Sequence, residues 1–211
     1  MLALLFGNLS GTLYIYNGQE IGMINLPKDV PIEEYKDLEC LNYYNQVAQE
    51  TNNDPKALEK VHAALQHLSR DHARTPMQWD GSKNGGFTDE QTTPWMCTNP
   101  STREINVAQQ AGDKTSVLAF WRQVCALRHT YSEVLVDGIF ELVEGTGEDV
   151  FALYKRGKRR SAFVVCNFSS SSSQAKVLGE VGKAELILSN VGEVGESTTL
   201  QPWEGRVYLV A

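Results

Sequence analysis

The sequence predicts an α/β segment followed by a small all-β domain, and three observations carry that prediction. A short run rich in aromatic and β-branched residues, Thr12–Tyr16, stands alone as strand text ahead of a long stretch, 18–112, that is no simple connection. An amphipathic pattern over 113–130 then returns to helical spacing. After Asp137-Gly138 the pattern shortens to strands separated by turns. One strand, a long excursion and a packing helix together resemble a single βα unit of a (β/α)8 barrel with an enlarged loop. The expected division is a partial barrel over residues 1–131 and an antiparallel β domain, a small sandwich, over 132–211.

Each element has a local reason. Met1–Leu9 is apolar and ends at Ser10-Gly11, which reads as the last turns of a helix closed by glycine. The near-continuous apolar character of Thr12–Tyr16 suits a strand buried on both faces, stopped by Asn17-Gly18. Helix-compatible text runs through Pro31–Glu50. Asp54-Pro55 supplies an N-cap and a first-turn proline for a second helix to Leu68, with Leu58, Val61, Leu65 and Leu68 on one face. Ser69–Gly112 is irregular, broken by Pro76, Gly81, Gly85, Gly86, Pro94 and Pro100. Loops of that length inside a compact domain are usually functional. In the helix from Asp113, Val117, Phe120, Trp121, Val124 and Leu127 follow helical spacing. Strands are expected at Ile139–Val143, Val150–Lys155, Ala162–Phe168, Ala184–Leu188 and Arg206–Val210, with the serine run Ser169–Ser173 an exposed loop.

Composition narrows the function classes. The 211 residues are 42% hydrophobic and 21% charged, ordinary globular values. A net charge of −7 gives no footprint for nucleic acid. The one basic cluster, Lys155, Arg156 and Lys158–Arg160 around Gly157, reads as a solvated hairpin turn. No apolar run reaches the roughly 18 residues that suggest a membrane span. Met1–Phe6 has neither the basic region nor the cleavage site of a signal peptide. Cys40, Cys97, Cys125 and Cys166 form no C-x-x-C pair, so no metal, redox centre or cofactor is expected and a reduced, cytoplasmic setting fits best. The glycosylation sequons at Asn8 and Asn167 matter only in a secreted protein.

Two segments carry a resemblance: Tyr16-Asn17-Gly18-Gln19-Glu20-Ile21-Gly22, and Ser69-Arg70-Asp71-His72-Ala73-Arg74-Thr75-Pro76-Met77-Gln78-Trp79-Asp80. Asn84–Phe87, Pro94-Trp95, Ile105-Asn106-Val107 and Pro202–Tyr208 extend it over essentially the whole chain. The text resembles the α-glucosidases of the α-amylase superfamily, glycoside hydrolase family 13, in the maltase and oligo-1,6-glucosidase branch. The resemblance implies that residues 12–16 are the eighth barrel strand, 18–112 the loop after it and 113–130 the eighth helix. It implies a retaining hydrolase acting on maltose, isomaltose or short oligosaccharides. It also implies that the nucleophile, the acid/base and a third aspartate belong to segments before the eighth strand. Retention needs two carboxyl groups about 5–5.5 Å apart. The chain has no His-Asp dipeptide and no nucleophile motif of the family, so it is expected to hold no catalytic residue and to be inactive alone.

Three residues are carried over as substrate-binding. Arg70 resembles the arginine that reaches the non-reducing glucose, Arg74 a second arginine of the same pocket, and Glu39 an acidic residue on the leaving-group side. Planar guanidinium forks suit sugar hydroxyls, and equally suit structural ion pairs, for example with Asp71. Glu20 is read as a loop anchor and His72 as a packing or hydrogen-bonding residue. His62 and His67, five apart, miss the spacing of a metal pair. Trp79, Phe87 and Trp95 fit sugar stacking or loop core alike. Two other readings compete: an amino-acid-transporter heavy subunit, which resembles this family without glycosidase chemistry, and a separate sugar-binding or vestigial module.

Overall fold

The computed structural model describes residues 1–192, 194 and 198–210, with the side chain of Glu180 excepted. The chain forms two compact units, Met1–Tyr14 with Ala119–Ala211, and Ile15–Leu118.

The first unit is organised by an antiparallel sheet. Strands β1 (Ile139–Leu142), β2 (Val150–Arg156), β3 (Ser161–Asn167), β4 (Ser173–Gln174), β5 (Ala184–Ser189), β6 (Thr199–Leu200) and β7 (Gly205–Val210) follow in chain order. Five of them form one sheet in the order β1-β2-β3-β7-β5, and β4 pairs with β6 alone. All pairings are antiparallel, with Leu153 opposite Val164 and Val164 opposite Val207 at the centre. Strand β3 is buried on both faces, which is why its text, Ala162–Cys166, is apolar without alternation. Val164 and Cys166 join Leu153, Val207 and residues of two helices, α1 (Leu2–Asn8) and α5 (Val117–Thr130), in one cluster. Phe163 and Val165 join Val150, Ala152, Ala175 and Leu200 in a separate cluster. Adjacent side chains on a strand point to opposite faces, so the two clusters lie on opposite sides of the sheet.

Expectation and structure agree on the five long strands to within a residue or two. The two-residue β4–β6 pairing is absent from the sequence reading, because two residues carry no period. Helix α1 closes differently from expectation. Its C-cap is Leu9 in an extended conformation, and Gly11 (φ 87°) comes two residues later. Arg128 substitutes for a glycine cap: Nη1 donates to Gly7 O at 2.8 Å and to Leu9 O at 3.0 Å, and Nη2 to Gly11 O at 2.6 Å. Helix carbonyls left without intrahelical partners are thereby satisfied. Gly7 sets the approach of α1 to α5, since a β-carbon there would overlap the Val124 side chain.

The expected strand at Thr12–Tyr16 does not form. Apolar text is only half of what a strand requires; its N–H and C=O groups need a neighbouring chain. No described segment pairs with this one, and Tyr14 and Tyr16 stand 85% and 60% exposed. The helix expected from Asp113 begins instead at Val117. Asp113 folds back as a turn, with Oδ1 accepting from Thr115 N and Oγ1 at 2.7 Å each.

The second unit has two main helices, α2 (Leu38–Glu50) and α3 (Pro55–Leu68), and a short α4 (Val107–Gln110). Asp54 caps α3 ahead of Pro55, as expected. Tyr35, Val61 and Leu65 form the only apolar cluster found among its described residues. The rest is held by buried amides. Asn84 Nδ2 lies 3.0 Å from Thr88 Oγ1, 2.7 Å from Asp89 O and 2.9 Å from Thr92 O. Asn99 Nδ2 reaches Ile24 O and Asn25 O at 3.0 Å each. Gln78 Nε2 donates to Ile105 O at 2.5 Å, and the backbone carbonyls of Gln78 and Trp79 accept from Val107 and Ala108. These side chains do for an irregular backbone what a ladder does for a strand.

Candidate functional site

The site grows from the chain between α3 and Thr75. Ser69 leaves α3 in an extended conformation and its hydroxyl accepts from Asp71 N at 3.2 Å, starting a 3-10 turn over Arg70–Arg74. Asp71 points inward and is fully buried. Its Oδ2 accepts the backbone N–H groups of Lys36 and Asp37, both at 2.9 Å, which fixes the entry into α2. Asp37 is the residue before that helix, yet its side chain makes no capping bond. It turns to Arg70 instead.

Arg70 grips Asp37 in a two-point fork, Nε to Oδ2 at 3.0 Å and Nη2 to Oδ1 at 3.0 Å. The same Nη2 donates to Glu39 Oε2 at 3.1 Å. Arg74 Nη1 stands 3.8 Å from Asp37 Oδ1 and 3.8 Å from Asp71 Oδ1. In a 3-10 turn residues three apart eclipse, which places Arg74 over Asp71. Cys40 Sγ closes the other side of Asp37, 3.5 Å from Oδ2 and 3.5 Å from Ser69 Oγ. The hydrogen bond from Arg70 holds the Asp37 carboxyl below its usual range, against the opposing pull of burial. Burial pushes the Cys40 thiol up.

The result is layered by exposure. The side chains of Asp37 and Asp71 are 6% and 0% exposed, whereas those of Arg70, Arg74 and Glu39 are 61%, 45% and 81% exposed. Buried carboxylates form a floor, and it presents two guanidinium groups and one carboxylate to solvent. Arg70 Nη1, Arg74 Nη2 and Glu39 Oε1 have no hydrogen-bond partner among the described residues. That surface offers donors and an acceptor in fixed positions, the complement of a polyhydroxyl ligand. It is poorly suited to proton transfer, because Asp37 is ionised and locked. Trp95 is fastened alongside, with Nε1 donating to Arg74 O at 2.8 Å and its ring meeting Phe87 edge-on at 5.0 Å. Ser69, His72 and Ala73 also line a cleft of about 350 Å³ with Tyr16, Asn17 and Gln19.

Of the residues expected from sequence, Arg70, Arg74 and Glu39 come together on one patch. The ion-pair alternative holds geometrically as well: Arg74 does face Asp71, while Arg70 pairs with Asp37 rather than Asp71. Asp37 is what the sequence reading missed. Its signal was its place, one residue before the α2 helix and two before Glu39; nothing in the local text joins it to a loop more than thirty residues away. Glu20 anchors its loop, accepting from Gly18 N at 2.6 Å. His72 is a hydrogen-bonding residue, Nδ1 accepting from Leu26 N at 3.2 Å with Nε2 3.2 Å from Leu65 O. Among the described residues no group of three or more His, Cys, Asp or Glu could hold a metal ion. All four cysteines are free, and among the described residues no helix is long and apolar enough to cross a membrane.

A fold with this signature turn belongs to a known class. Residues 1–138 match the profile of the α-amylase catalytic domain, and the chain belongs to the α-amylase family, glycoside hydrolase family 13. Within it the similarity is to α-glucosidases. An oligo-1,6-glucosidase of Saccharomyces cerevisiae is 38% identical over 99% of the chain, and a probable oligo-1,6-glucosidase of Bacillus subtilis 38% over 100%. Among solved structures, the trehalose-6-phosphate hydrolase of Bacillus licheniformis superposes with a TM-score of 0.86 at 30% identity, over 100% of the chain and 38% of that protein. The trehalulose synthase of Pseudomonas mesoacidophila gives a TM-score of 0.84 at 28%, over 100% of the chain and 37% of that protein. The chain spans 36% of the yeast relative and 37% of the Bacillus subtilis relative.

Proposed function

We propose that the chain is the sugar-binding portion of a retaining α-glucosidase that releases terminal α-linked glucose from maltose, isomaltose or short oligosaccharides. The observation that carries this reading is the patch itself: Arg70, Arg74 and Glu39, spread over two segments, are gathered around one buried aspartate and hold unspent donors and an acceptor toward solvent. The names of the 37–39% identical relatives support the same chemistry. In this reading Arg70 and Arg74 donate to glucose hydroxyls and Glu39 accepts from the sugar on the leaving-group side. In this reading residues 1–131 belong to the (β/α)8 barrel of the longer enzyme and 132–211 to its β-sandwich domain, in a reduced cytoplasmic protein.

Among the described residues, the carboxylates at and near the patch do not form the pair that retention requires. Asp37 and Glu39 are both tied to Arg70, Glu20 is tied into its own loop, and Asp71 is buried under backbone N–H groups. Incubating the purified 211-residue chain with maltose, isomaltose and p-nitrophenyl α-glucoside is therefore expected to release no glucose. Release that disappears in Arg70→Ala would overturn this, and would mean that carboxylates within the chain have been recruited. A parallel glucose titration followed by NMR is expected to move the Arg70 and Arg74 side-chain resonances. No movement there at saturating sugar would remove the binding role.

A further inference from the structure

The hairpin joining β1 and β2 borders an open cleft of about 600 Å³, within the volume range of small-molecule sites. Its floor is apolar: Leu142, Val143, Val150, Phe151 and Phe168. The rings of Phe151 and Phe168 meet edge-on at 6.4 Å, and Phe168 remains 40% exposed. Phe168 N donates to Asp149 O at 2.7 Å, which pins the end of β3 against the loop. The loop is shaped by two glycines with positive φ, Gly145 at 74° and Gly147 at 91°, so it turns without side chains filling the cleft.

Its rim is acidic. Glu144, Glu148 and Asp149 line the cleft, no Lys, Arg or His does, and none of the three carboxylates has an ion-pair partner among the described residues. Carboxylates beside an apolar wall focus a negative potential into the recess. The three do not converge as a metal site. A cation that fits must therefore be one that also profits from apolar and aromatic contact. An aromatic face attracts a nearby cation through its quadrupole, and quaternary ammonium groups are recognised this way. We propose that this cleft binds an organic ammonium ion, with its alkyl groups on Phe168, Phe151 and Leu142 and its charge facing the three carboxylates.

The test titrates the full 211-residue chain with choline and, separately, with its neutral isostere 3,3-dimethylbutan-1-ol, following backbone amides by NMR. Choline is expected to shift the Val150, Phe151 and Phe168 amides saturably, and the isostere to bind about tenfold more weakly, the ratio that corresponds to 1.4 kcal/mol. The combined variant Glu144→Gln, Glu148→Gln, Asp149→Asn is expected to lose that preference for charge. Phe168→Leu, which keeps an apolar floor, is expected to weaken choline severalfold and leave the isostere nearly unchanged. All four positions are exposed, and the amide spectrum of the rest of the sheet reports directly on folding. Equal affinity for the two probes, choline binding indifferent to the carboxylates, or no saturable shift at these amides would each overturn the proposal.

Discussion

The sheet unit and the unit 15–118 solve the same problem with different groups. In the sheet unit the backbone satisfies itself through ladders, leaving side chains free to be apolar and to fill both faces, as Ala162–Cys166 do. In residues 15–118 the backbone is irregular after α3, and buried amides, Gln78, Asn84, Asn99 and Asn106, take over the pairing. The first arrangement concentrates stability in a shared core. The second distributes it over polar contacts, each of which fixes one turn. A loop built this way can present exposed arginines at defined positions without a surrounding sheet.

The comparison breaks most directly at the core. Phe163 is fully buried and packs 4.8 Å from the Tyr154 ring. Phe163→Ala is expected to cost about 3–5 kcal/mol in urea unfolding followed by a sheet-specific signal. A cost below about 1 kcal/mol would show that the site collapses freely and that the sheet is not the stable element. Asn84→Ala is the counterpart in the loop. It strips donors from a cluster of three acceptors and is expected to cost about 1–3 kcal/mol, the penalty of leaving buried polar atoms unpaired. Amide exchange should accelerate around residues 80–92 while β2 and β3 stay protected. Acceleration spread equally over the strands would mean that the two units do not unfold separately.

Legibility divided along the same line. The strands could be read because β2, β3, β5 and β7 are each a short stretch rich in apolar residues between turns. The capped helix α3 could be read from Asp54-Pro55. Thr12–Tyr16 misled, because its text describes a strand while pairing depends on a neighbour that local text cannot supply. In the site, the family resemblance named Arg70, Arg74 and Glu39 as candidates, and the structure gathers these three side chains on one patch. Asp37 was not legible, since its role exists only where the α2 entry meets the 3-10 turn. Long-range amide contacts such as Asn99 to Ile24 were unreadable for the same reason.

A pH titration sharpens the picture of the loop unit. Arg70 holds the Asp37 carboxyl below its ordinary 3.8. A carboxyl depressed in the folded state contributes stability that is fully present above its unfolded value. That contribution is lost as the pH falls through the lower, folded value. The Asp37 carboxyl carbon, followed by NMR, should therefore titrate with a midpoint below 3.8, and Arg70→Gln should move it upward. A midpoint at or above 3.8 in the unaltered chain would mean that the fork does not persist in solution.

The smallest expected effect concerns thiol access, which compares the two units without altering either. Cys125 is exposed, Cys40 and Cys97 are half-buried with thiols pushed up by burial, and Cys166 lies in the sheet core with its thiol pushed up to about 12. The thiolate is the reacting form, so at pH 8 Cys166 presents roughly one thiolate in ten thousand. A disulfide reagent under native conditions should modify Cys125 quickly, Cys40 and Cys97 slowly, and Cys166 only on unfolding. Cys40 is the informative member. Its sulfur sits against Asp37 and Ser69, so movement of the α2 entry away from the 3-10 turn is expected to speed its reaction. Reaction at Cys40 as fast as at Cys125 would mean that the aspartate floor opens on the timescale of the assay. The arginine patch would then be one conformation among several rather than a fixed platform.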